Sequence, residues 1–207
     1  MQWYEADVRG VEKEIASRAL TSPVVFYGSS SIRLWSTLSE DLKSENILNL
    51  GFGGSTLEAC VYFFERILLP AKPSSLVLYA GDNDLGDGKS SSDVVAFYRR
   101  FALKMQTCLP GVHYGFISIK PSPSKISIMD RILTVNSAVA QEISNNPMSY
   151  YIDVFSSMLD DGGKPKQSLF QDDGLHLNAD GYRLWTEIMF KHRDQIFNQD
   201  FRKTHKE

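Results

Sequence analysis

Four short segments carry side chains able to act together on an electrophilic carbon: Gly28-Ser29-Ser30-Ser31, Asn49-Leu50-Gly51-Phe52-Gly53-Gly54, Gly81-Asp82-Asn83-Asp84 and Asp172-Asp173-Gly174-Leu175-His176. A serine hydroxyl attacks well only when a base takes its proton, and an imidazole serves as that base when an acid fixes its other nitrogen. An aspartate three residues ahead of His176 can turn back to supply that acid. His113, His192 and His205 lack such a partner in sequence. The glycines before Ser55 permit close backbone approach and leave amides free at a helix start, which suits an oxyanion or a phosphate. The Asn83 amide donates hydrogen bonds without charge, as a tetrahedral oxyanion requires. Asp82 and Asp84 also suggest a cation loop, but the remaining oxygen ligands of a calcium site do not follow at the needed offsets. No metal is therefore expected, and which of the three serines attacks is left open by these residues alone.

The elements that must hold these groups can be read from the flanking patterns. Short apolar, β-branched and aromatic runs at Pro23 to Tyr27, Asn46 to Leu50, Ser75 to Ala80, Tyr114 to Ile119 and Ser149 to Phe155 predict strands buried on both faces. Helical periodicity lies between them. After Ser92, the residues Val94, Phe97, Tyr98, Phe101, Met105 and Cys108 recur at three- and four-residue steps as a core stripe. Further helices are predicted from about Glu5 to Leu20, Ser55 to Leu69, Ser127 to Ser144 and Ala179 to Phe197, the last capped by Asn178. Alternating strands and helices imply right-handed crossovers and a mainly parallel sheet covered on both faces. Ligands bind such sheets beyond the carboxyl ends of the strands, and each of the four segments falls there.

Composition narrows the function further. The 207 residues are 43% hydrophobic and suit one domain, 1–207, with an N-terminal helical arm over 1–21 and a polar tail over 198–207. The 22 basic and 25 acidic residues nearly balance, which argues against nucleic acid or an anionic membrane as partner. No window approaches the ~18 apolar residues of a membrane span, and the charged N-terminus lacks a secretory apolar core, so a cytoplasmic protein without stable membrane insertion is expected. Cys60 and Cys108 are read as buried thiols in preference to a disulfide. Trp3 and Tyr4 pack the arm either on the body or on a neighbouring copy, which leaves a homo-oligomer open.

The order G-S-S-S, N-x-G-x-G-G, G-x-N, D-x-x-H resembles the four blocks of the SGNH hydrolases, also called the GDSL esterase and lipase superfamily, over about Gly28 to His176. The G-x-G-G block is similar to the platelet-activating-factor acetylhydrolase-like branch. The resemblance implies a three-layer α/β/α sandwich around a five-stranded, mainly parallel, flavodoxin-like sheet. It implies Ser30 as nucleophile, with Ser29 where the family has Asp and Ser31 where it has Leu. It further implies His176 as base, Asp173 in preference to Asp172 as the acid, and an oxyanion hole of the Ser30 and Gly54 amides with the Asn83 side chain. The implied activity is hydrolysis of a small-molecule acyl ester, short acyl groups favoured, through an acyl-enzyme and without a cofactor. Thioesterase and lysophospholipase activities are variants of the same chemistry.

Two readings from other classes compete with it. One is a catalytically silent ligand-binding module on the same scaffold. The other is a nucleotide- or flavin-binding domain, against which the missing P-loop and dinucleotide patterns argue. The segments Leu85 to Ser91, Lys120 to Asp130 and Ser157 to Gln171 are the expected pocket walls, with Lys120, Lys125 and Arg131 read as solvated charges or, alternatively, as contacts for an anionic substrate.

Overall fold

The computed structural model describes residues 1–197, so the expected polar tail and His205 lie outside the described residues. Five strands, β1 (Val24–Gly28), β2 (Ile47–Gly51), β3 (Ser75–Tyr79), β4 (His113–Ile117) and β5 (Ser149–Ile152), form one sheet in the order β2-β1-β3-β4-β5. Every pairing is parallel. β1 lies between its two successors, so the chain leaves it first to one side and then crosses to the other. The crevice at such a reversal is where ligands collect in open parallel sheets.

Successive strand residues point to opposite faces, and each face is apolar. Val25, Tyr27, Leu48, Leu50, Leu76, Leu78, Tyr114 and Phe116 belong to the core on one side, with α1 (Glu5–Arg18), α4 (Leu57–Tyr62), α5 (Phe64–Ala71), α7 (Ser91–Cys108) and α8 (Met129–Ser144) packed over them. Val24, Phe26, Ile47, Val77, Tyr79, Tyr150 and Ile152 face the second core, covered by α2 (Ser30–Arg33), α3 (Leu38–Asp41), α9 (Ala179–Lys191) and α10 (Arg193–Ile196). Trp35 and Trp185 anchor that second layer with rings 6.0 Å apart, both nearly inaccessible to water. Fully burying a side chain of Phe size contributes about 1.5–3 kcal/mol, so these two layers hold the sheet's loops in place.

Caps explain where several helices begin. Ser90 and Asp93 form a reciprocal capping box on α7, and the Asn178 side chain accepts from the Asp180 and Gly181 amides at the start of α9. The helix expected over 55–69 is two: Thr56 caps α4 by accepting from the Ala59 amide, and the chain breaks at Phe63 before α5. The last predicted helix likewise breaks at His192. Cys60 is a buried free thiol, whereas Cys108, expected to be buried, is half-exposed at the end of α7. Among the described residues, no helix is long and apolar enough to cross a membrane.

Candidate active site

All four segments of interest meet at the carboxyl edge of the sheet. β1 and β2 end level, with Gly28 paired to Gly51, and Gly28 also lies beside Tyr79 at the end of β3. Gly28 has φ +139, and a Cβ there would stand 1.9 Å from the Tyr79 carbonyl oxygen, so only glycine fits. The Ser29 amide then donates to that same carbonyl at 3.0 Å, turning the chain into α2 with Ser30 as its first residue. Ser29 and Ser31 are buried, whereas Ser30 is partly open. Asn49 ties the next loop to this one: its amide donates to the Ile32 carbonyl at 2.7 Å, and its oxygen accepts from the Gly51 amide at 3.1 Å.

Ser30 Oγ lies 3.1 Å from His176 Nε2, and His176 Nδ1 lies 2.6 Å from Asp173 Oδ2. The His176 loop is a tight turn, closed by Gln171 donating to the His176 carbonyl at 2.8 Å and Gly174 donating to the Gln171 carbonyl at 2.9 Å. Asp173 is the carboxylate on the imidazole. Its other oxygen accepts from the His176 and Leu175 amides at 2.9 and 2.8 Å, and these two bonds, with the imidazole contact, pull its carboxyl down to about 2. A carboxylate so held fixes one imidazole tautomer and leaves Nε2 facing the serine as an acceptor.

The second loop offers an amide to the same region. The Phe52 amide donates to the Gly28 carbonyl, Gly53 to Asp7 Oδ2 and Ser55 to the Phe52 carbonyl, while among the described residues no acceptor is found for the Gly54 amide. The Ser30 amide is likewise without an acceptor among the described residues. Gly54 sits at φ +65, the left-handed conformation that its turn requires.

Asn83, which follows β3 as expected, lies in the first turn of a short helix, α6 (Asp82–Gly86). Its Nδ2 donates to the Ser55 carbonyl at 3.1 Å, which leaves the second hydrogen of that amide for another acceptor. Asp84 reaches over to the start of α4, where its carboxylate accepts from the Leu57 and Glu58 amides at 2.6 and 3.2 Å. Burial pushes its carboxyl up to about 6 against those two donors. Asp82 instead pairs with Lys120 at 3.3 Å, and both side chains are buried. These two carboxylates therefore serve separate structural ends, and neither converges with the other on a cation.

Lys120 corrects one expectation. It is neither solvated nor a pocket wall, but lies beneath the site with its ammonium 3.1 Å from Tyr79 Oη. Arg131 donates to the Lys89 carbonyl, and Lys125 reaches across to Gly86. Within the 120–130 segment, Pro123 and Ser124 do border the His176 turn, the Ser124 amide donating to the Gly174 carbonyl. Sequence reasoning gave no role to Asp7, gave Asn49 a place in the glycine block without a function, and read Tyr4 only as packing the arm on the body or on a neighbouring copy. For Asn49 the signal is a polar residue inside an otherwise apolar strand. A concavity of about 440 Å³ beside the Gly54 loop is lined by Trp3, Tyr4, Gly54, Asn83 and Asp87.

This constellation can carry acyl transfer: a hydroxyl on an oriented imidazole, with amide donors on adjacent loops. The chain matches the profile of the GDSL-like lipase/acylhydrolase family over residues 22–184. No curated protein matches it in sequence. Among solved structures it is similar to a Streptococcus pneumoniae protein named "putative platelet activating factor", at 18% identity and a TM-score of 0.79 over 92% of this chain and 94% of that one. A GDSL-like lipase from Bacteroides thetaiotaomicron matches at 17% identity and a TM-score of 0.72, over 89% and 97% of the two chains. A lipase/acylhydrolase from Enterococcus faecalis matches at 21% and 0.65, over 81% and 93%. At such identities these likenesses establish the α/β/α fold.

Proposed function

The chain belongs to the GDSL-like lipase/acylhydrolase family and is a hydrolase of the SGNH type, and from that premise we propose that it cleaves carboxylic esters of short acyl chains with Ser30, His176 and Asp173. The observation that carries this reading is the continuous path from Asp173 Oδ2 through His176 to Ser30 Oγ, with steps of 2.6 and 3.1 Å.

In this mechanism His176 Nε2 takes the Ser30 proton as Oγ attacks the acyl carbonyl carbon. The carbonyl π electrons move onto oxygen, and the oxyanion is met by the Ser30 and Gly54 amides and the free hydrogen of Asn83 Nδ2. As the tetrahedral intermediate collapses, the imidazolium passes its proton to the departing alkoxide, leaving Ser30 acylated. Water then repeats the sequence, with His176 as base for its attack, and releases the carboxylic acid. Asp173 accepts from Nδ1–H throughout and stabilises the imidazolium. Short acyl groups are favoured because the Streptococcus pneumoniae neighbour bears a platelet-activating-factor name.

The test is hydrolysis of p-nitrophenyl esters from acetate to palmitate by the wild-type protein and Ser30→Ala. Wild-type turnover should be greatest on the short esters, and the variant should lose roughly 10⁴-fold or more. Equal rates in both proteins would remove Ser30 from the chemistry. A maximum at long chains, or faster turnover of an acyl thioester, would redirect the substrate to lysophospholipids or thioesters.

A further inference from the structure

The family match begins at residue 22, yet residues ahead of it reach into the site. Tyr4 Oη donates to the Gly54 carbonyl at 3.1 Å, and Asp7 Oδ2 accepts from the Gly53 amide at 3.0 Å. These contacts bracket the Gly53–Gly54 peptide, whose own amide is the one in this loop with no acceptor among the described residues. The loop needs such bracing. Gly51 and Phe52 are packed tightly, but Gly53 and Gly54 carry no side chain and a Cβ placed on Gly54 would touch nothing within 4 Å, so no packing of its own fixes the Gly54 end of the loop.

The two bracing residues are themselves fixed. The Tyr4 ring meets Phe52 edge-on at 5.6 Å and Phe63 at 6.3 Å, the first of these within the loop it braces. Behind it, Val8 and Val11 of α1 are buried in the core. Arg66 of α5 forks onto Glu5 at 2.9 Å and Glu12 at 2.6 Å, clamping both ends of the helix segment that carries Asp7. Exposed ion pairs are worth little singly, but a guanidinium held between two carboxylates adds geometric definition to a helix already anchored by apolar burial.

We propose that the N-terminal arm is a working part of the active site, in which Tyr4 and Asp7 are positioning residues that aim the Gly54 amide at the developing oxyanion. This inference rests on the reading of Gly54 as an oxyanion donor. A donor that must meet charge in the transition state gains its value from being held in place beforehand, so loosening it lowers turnover more than ground-state binding.

Four full-length variants test this beside the wild type on the best p-nitrophenyl ester: Tyr4→Phe, Asp7→Ala, Asp7→Asn and Ser30→Ala. Tyr4→Phe deletes a single hydroxyl, and Asp7 is exposed, so folding should survive both changes. Tyr4→Phe and Asp7→Ala should each lower kcat about fivefold to tenfold, the worth of one net hydrogen bond expressed as a rate. KM should stay within about twofold, and Asp7→Asn, which keeps an acceptor oxygen, should retain most of the wild-type kcat. Wild-type kcat in Tyr4→Phe and Asp7→Ala, with Ser30→Ala inactive, would overturn this inference alone. So would rates that fall only in step with the folded fraction seen by thermal melting. Turnover surviving in Ser30→Ala would instead overturn the reading of the site on which it stands.

Discussion

Asp82 and Lys120 form an ion pair at 3.3 Å with side chains only 4% and 1% exposed, immediately beside Asn83 and beneath the Ser30 loop. The Lys120 ammonium also donates to Tyr79 Oη, a residue whose backbone carbonyl receives the Ser29 amide. One buried cation thus links the ends of β3 and β4 directly below the loops that carry Ser30 and Asn83.

Breaking this pair from one side should be far more costly than removing it whole. Lys120→Met strands a buried carboxylate and should destabilise the protein by about 3–5 kcal/mol in urea unfolding, whereas Asp82→Leu with Lys120→Met should recover most of that loss. Additive losses in the double variant would show that the two groups do not depend on each other.

Acid should disturb Asp173 late. Its carboxyl is pulled down to about 2 by the His176 and Leu175 amides and by the imidazole. The folded value lies below the unfolded one, so the stabilisation is complete above the ordinary carboxylate value near 3.8 and is lost as pH falls through about 2. The stability difference between wild type and Asp173→Asn should therefore hold steady from pH 7 to about 5 and shrink between about 4 and 2. A difference already halved at pH 5 would contradict the hydrogen-bonded geometry.

Glycine substitutions should separate two kinds of turn. Gly28→Ala places a methyl 1.9 Å from a backbone oxygen at φ +139 and should cost at least ~3 kcal/mol or prevent folding. Gly54→Ala, at φ +65 with no neighbour within 4 Å of the new methyl, should cost about 1 kcal/mol. Thermal unfolding of the two variants side by side reads the contrast, and similar losses would refute it.

Much of the candidate site's geometry was legible because its parts are local patterns at strand ends. The three-residue offset of Asp173 and His176 already contains their contact, and the Gly28 and Gly54 turns follow from glycine's freedom. What the sequence hid depends on distant segments. Lys120 reads as a solvated loop charge until the fold brings Asp82, 38 residues away, against it. Tyr4 and Asp7 act on residues 50 and 46 positions onward, and no periodicity marks such a contact. The break at Phe63 was missed for a different reason: the apolar stripe continues across it, since Ala59, Cys60, Phe64 and Ile67 are all buried.

The reach from Ser30 to His176 spans 146 residues, and that separation gives the site an order of assembly during synthesis. Ser30, Gly54 and Asn83 directly follow β1, β2 and β3, which are made before the segment that carries Asp173 and His176. His176 and Asp173 come from the turn just ahead of α9, after β5. On the proposed reading, a nascent chain displays Ser30 before His176 is made, so the contact between them forms only after all five strands have been synthesised.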